Sequence, residues 1–304
     1  MEQDNMNSKR ILNTMGFALF LMAAVVLIVP YVIIYTVKAT IPEIADANWF
    51  GWALTASTVV GIALPVFYFA TKNIPDSPHG EVVKLRFPQL VVLFFICTAT
   101  MYITNFFGTI VSFFISMVKG DDIVNPLTEV ILGSNMLITF LYGCIVAPVV
   151  EELIFRKLLL NKVRRFGDLP AMLISGVAFG LFHMNILQFF YATALGIIFA
   201  YIAIKTNTVK YSILLHIIIN TIGISLAPFA LQGGSLNFGV LLFIIIWAFT
   251  AIAVGVLFFV LNIKKIKLDK AEEPIERKSN YFLNVGAILF ILICLEEMIK
   301  LILY

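Results

Sequence analysis

Nine apolar runs separated by short polar stretches dominate the pattern of this chain. A helix that crosses a bilayer needs roughly 17–25 predominantly apolar residues. By that measure the runs predict helices at 11–37, 49–70, 88–118, 135–160, 169–184, 187–204, 211–229, 238–263 and 281–304. The fifth and sixth are short because they share one uncharged run, 169–204, divided at Met184-Asn185. Asp168 ahead of Leu169-Pro170 predicts a helix start, the acid as N-cap and the proline in the first turn. The first run exceeds the ~7–15-residue core of a signal peptide and reads as an uncleaved span. The pattern predicts an all-α fold, a polytopic transmembrane helix bundle of about nine spans, eight plus an extra C-terminal helix. It divides into helices one to three (1–134), helices four to seven (135–229), helix eight (230–263), a basic linker (264–280) and a peripheral helix nine (281–304).

Composition agrees with the pattern. The 304 residues are 61% hydrophobic and 13% charged, against about 45–50% and about 25% for soluble domains. A net charge of only +3 gives no basis for a nucleic-acid partner, which leaves the lipid bilayer and molecules within it. Cys97, Cys144 and Cys294 all fall in apolar runs, without the spacing of zinc ligands, and read as inert packing residues. With a cytoplasmic N-terminus and alternating spans, only Lys38, Lys119 and Lys300 of the 21 basic residues fall outside. That asymmetry follows the positive-inside rule and predicts an external C-terminus. Glu296-Glu297, followed by Lys300, reads as a solvated helix end.

One place breaks the apolar pattern. Glu151-Glu152 ends the chargeless run 130–150, and carboxylates at membrane depth are costly and seldom idle. Glu152 and Arg156 stand at i and i+4, acid first, and predict a structural ion pair. Glu151 lies about 100° round the helix and has no local partner, as a general base requires. Phe179 and His183 share one helical face, with Phe179 as a wall beside the imidazole, and His216 and Asn220 share another. Glu151 and His183 both stand 16 residues from Gly167, so an antiparallel hairpin turning there sets them at one depth. The chemistry this points to is attack of water on a carbonyl. Glu151 is the base, His183 orients the water, and His216 and Asn220 donate to the oxyanion. The other reading is a non-catalytic immunity or regulatory scaffold that binds a peptide or partner protein in the same cavity.

Glu-Glu-x-x-x-Arg at 151–156, Phe-x-x-x-His at 179–183 and His-x-x-x-Asn at 216–220 resemble, in this order, the three motifs of the CPBP family. That family comprises the CAAX-processing and bacteriocin-processing (Abi) proteins, or type II CAAX prenyl endopeptidases. The resemblance covers roughly 135–229 and implies an intramembrane endopeptidase with its catalytic core in helices four to seven. It implies Glu151, His183, His216 and Asn220 as catalytic, with Glu152 and Arg156 in support. The implied substrate is a membrane-embedded or membrane-associated peptide or protein. Eukaryotic relatives release the last three residues of prenylated proteins, whereas bacterial relatives act on other substrates or in bacteriocin immunity. The implied location is a bacterial plasma membrane. The ninth helix departs from the usual eight-span layout. No cofactor is favoured; one zinc ion on Glu151, His183 and His216 is the alternative. The histidines lack the His-x-x-x-His spacing that puts two ligands on one helical face.

Overall fold

The computed structural model describes residues 8–77, 80–123, 125, 135–231, 238–270 and 284–303, with side chains throughout except 225–231. The expected helices all form: α1 (Ser8–Thr40), α2 (Phe50–Thr71), α3 (Phe87–Lys119), α4 (Met136–Phe166), α5 (Asp168–Phe182), α6 (Ile186–Thr206), α7 (Lys210–Leu231), α8 (Phe238–Asn262) and α9 (Val285–Leu303). A single turn, Pro42–Ala45, precedes α2. Among the described residues six helices are long and apolar enough to cross a membrane: α1, α2, α3, α4, α6 and α8. Apolar α5 and α7 are shorter on that measure. Phe106, Phe113, Phe249 and Phe259 stand exposed on the outside of the bundle, the surface a lipid-facing helix presents.

The uncharged run divides where expected, for a local reason. Met184 takes a left-handed conformation with φ 50°, ending α5 as a C′ residue does. Asn185 then caps α6, its side chain accepting from the Leu187 N–H. Asp168 corrects the sequence reading. Gly167 is the N-cap, with φ 99°, and Asp168 is the first residue inside α5. Its buried carboxylate instead accepts from Lys205 Nζ at 2.7 Å and from the Asp269 N–H at 2.9 Å.

The three motif-bearing helices, α4, α5 and α7, form the centre together with α6. α5 packs along α6, and α7 lies against α4 and α6. α3 and α8 cover one side, α1, α2 and α9 the other. The α5–α6 contact runs through small residues, the feature that lets helices approach in a membrane. A Cβ on Gly176 would collide with Ile197, and one on Gly180 with Thr193. α9 is not peripheral as the sequence suggested: Gly286 crosses Gly16 of α1 backbone to backbone, and Phe290, Cys294 and Met298 are buried in the main core. The linker reading falls mostly on 271–283, and the loop histidine at 79 is also outside the described residues.

The basic turns gather at one end. Lys162 donates to the Ile74 carbonyl and to Asp76, Arg165 to the Pro75 carbonyl, and Arg164 to Asn207. The stretch after α2 is thereby stitched over the turns that join α4 to α5 and α6 to α7. Arg156, counted with these residues in the sequence reading, is instead sealed in the bundle interior.

Candidate active site

Helix α4 is not a uniform α-helix. It winds with wide π-helical turns over Phe140–Val146 and Leu153–Leu160, on either side of the glutamate pair. Such turns are rare and concentrate at functional sites. Here the cause and the effect are visible. In the first stretch the Ala147 N–H reaches back to the Tyr142 carbonyl, and the next residue, Pro148, has no N–H to offer. The Gly143 carbonyl is therefore released from the helix, and it accepts from Asn220 Nδ2 at 3.0 Å. Sequence reasoning missed this anchor; its signal was a proline three residues before Glu151.

The Glu152–Arg156 pair forms as its spacing predicts, at 3.0 Å with both side chains fully buried. Arg156 also donates Nη2 to the Gly196 carbonyl at 3.1 Å and lies 4.5 Å above the Phe179 ring. Gly196 is required there: a Cβ would stand 3.1 Å from Nη2 and 3.0 Å from Phe179 Cδ1. Contacts from α4, α5 and α6 thus surround the guanidinium, as a buried charge needs, while its Nε has no hydrogen-bond partner among the described residues.

His216 of α7 enters between the two carboxylates. Its Nδ1 is 3.1 Å from Glu152 Oε1, and its Nε2 is 3.5 Å from Glu151 Oε2. The partner that Glu151 lacks on its own helix therefore arrives from another one. Phe199 stacks on the imidazole at 5.1 Å, and Phe179 meets its edge at 5.6 Å. Phe179 also walls His183 at 4.8 Å, as the shared face predicts. Phe199, the other side of the aromatic clamp, carried no motif signal. His183 directs Nδ1 to the Phe179 carbonyl at 2.8 Å. A carbonyl only accepts, so Nδ1 holds the proton, and Nε2 of the neutral ring carries the lone pair.

Glu151, His183, His216 and Asn220 all line one cavity of about 590 Å³, within the ~300–1,000 Å³ range of small-molecule sites. Glu151 of α4 and His183 at the end of α5 both line its wall. The cavity lies away from the basic turns, among the opposite halves of α2, α3, α4 and α7. Among the described residues no three His, Cys, Asp or Glu side chains are grouped to hold a metal ion.

Residues 133–222 match the family model "Type II CAAX prenyl endopeptidase Rce1-like". The chain is a polytopic membrane protein, and the stretch similar to that family contains all four cavity residues of the motifs. It is 35% identical over 78 residues to the "Putative membrane peptidase YdiL" of Bacillus subtilis (strain 168), an alignment covering 25% of this chain and 32% of that protein. The match spans about a third of the length of that relative. No solved structure matches the chain.

Proposed function

We propose that the protein is an intramembrane endopeptidase that hydrolyses a peptide bond of a membrane-embedded or membrane-associated substrate. The observation that carries this reading is the placement of His216 between Glu152 and Glu151, in a cavity that His183 and Asn220 share.

The steps follow from what each group has left to give. Arg156 pairs with Glu152, and Glu152 accepts from His216 Nδ1, which holds the ring in place. This is the arrangement by which a buried acid orients a catalytic imidazole. Glu151, the one carboxylate among the described lining residues, takes a proton from water as that water attacks the carbonyl carbon. His183 Nε2 accepts from the same water and fixes its approach. The developing oxyanion meets Asn220, which has one amide proton committed to Gly143 and a second to donate. When the C–N bond breaks, Glu151 returns the proton to the departing amine, so that one water is consumed and one acid and one amine are released. Both nitrogens of His216 face carboxylates, so its part is to hold Glu151 in place more than to bind the oxyanion. We further assign the basic end to the cytoplasm of a bacterial cell, with the C-terminus outside.

The test compares new peptide termini in membranes of cells carrying wild type or Glu151→Gln at equal protein level. Termini that vanish with the substitution support the reading; identical peptidomes refute it and favour a non-catalytic scaffold. Elemental analysis of the purified protein checks the zinc alternative. One zinc per chain, lost together with activity in His183→Ala, would move Glu151 from base to ligand.

A further inference from the structure

The wall of the cavity is aromatic and amide-rich, with Trp52, Tyr142 and Tyr191 beside Gln188 and Asn220. Among the described lining residues none is lysine or arginine, and the one carboxylate is Glu151. The closest guanidinium, Arg156, is fully buried and committed to Glu152, the Gly196 carbonyl and the Phe179 ring. The imidazoles are engaged as well, apart from His183 Nε2, which the hydrolytic reading assigns to water.

A peptide carboxyl terminus is an anion. If three residues were released from a chain end, that carboxylate would lie about 10 Å from the broken bond, at about 3.3–3.6 Å per extended residue. It would then sit within the cavity or its mouth, desolvated, without a cation, and repelled by Glu151. An internal apolar segment brings no such charge, and its flanking polar groups meet the amides and tyrosines. We propose that the cavity takes an internal, uncharged, apolar stretch of a membrane-embedded peptide, and that the substrate's C-terminal carboxylate stays outside. This rests on the protease reading of the same site.

The test starts from the Glu151-dependent cleavage found by comparing membrane peptidomes of wild type and Glu151→Gln. The peptide cut is synthesised at full length, and in a version truncated to three residues beyond the bond. Each is made as free acid and as amide, and all four are assayed with the purified protein in liposomes. The full-length acid and amide are expected to agree in kcat/KM within about twofold, and the truncated acid to fall at least about tenfold below its amide. Preference for the truncated acid over its amide would overturn the proposal and leave the protease reading intact. Absence of any Glu151-dependent cleavage in the peptidome would overturn both.

Discussion

Two adjacent glutamates differ because their partners differ. Glu152 is sealed between Arg156 and His216 Nδ1, whereas Glu151 faces the cavity, with His216 Nε2 at 3.5 Å. Glu151→Gln preserves shape and removes the proton acceptor, so protein level should hold while hydrolysis is lost. Arg156→Ala leaves the Glu152 carboxylate buried without its cation, a cost of roughly 3–5 kcal/mol in soluble proteins. It should lower the thermal midpoint in detergent, and an unchanged midpoint would show that the pair contributes little. Glu152→Gln separates orientation from charge: the amide oxygen can still accept from His216 Nδ1, but the negative charge beside the imidazole is gone. A fall in kcat with KM unchanged is the expected result. The ion pair was legible in the sequence because i and i+4 spacing is local. The company of Glu151 was not, because His216 lies 65 residues on and arrives only when α7 packs against α4.

At the scale of the helix, the wide turns of α4 explain why Asn220 is held as it is. Pro148→Ala would supply an N–H where the chain now has none, letting the helix reclaim the Gly143 carbonyl. The expected outcome is a stable protein with reduced kcat, since the oxyanion donor loses its anchor; full activity would show that the anchor is dispensable. Gly196→Ala acts elsewhere. Its Cβ would press on the Gly176 backbone at 2.9 Å and on Arg156, and overpacking of this kind costs about 1–3 kcal/mol. The helices and the α5–α6 division were readable from apolar length and from Met184-Asn185. The N-cap was misassigned to Asp168 because that carboxylate serves tertiary partners, Lys205 and Asp269, which no local pattern reveals. The Gly176-x-x-x-Gly180 contact was present in the sequence as small-residue spacing, although only the packed structure shows which helix it meets.

Across the whole molecule, the basic turns and the cavity occupy opposite ends. The basic turns are cross-linked to one another, and the segment after α8 is clasped to them by Asp168, Lys205 and Asp269. The hydrogen bond from Lys205 holds the Asp269 carboxyl below its ordinary range. Its contribution is therefore complete above the ordinary aspartate pKa and is lost only as pH falls through the lower folded value. Lys205→Met should raise hydrogen exchange at Ile266–Asp269 at neutral pH, whereas unchanged exchange would mean that the backbone bonds alone hold the clasp. Topology is checked by reporters: one fused after Lys270 should read cytoplasmic, and one after Tyr304 external. Two cytoplasmic signals would place α9, which carries Glu296, Glu297 and Lys300, on the surface and not through the membrane. The most direct measurement of the central claim is the turnover of a defined peptide by purified wild type and Glu151→Gln in liposomes, at matched folding. Loss of a general base costs roughly 10²–10⁴-fold, so the account predicts a fall in kcat of that size with both proteins equally stable. A Glu151→Gln protein that retains turnover within about threefold of wild type, where general-base loss predicts far more, would contradict it.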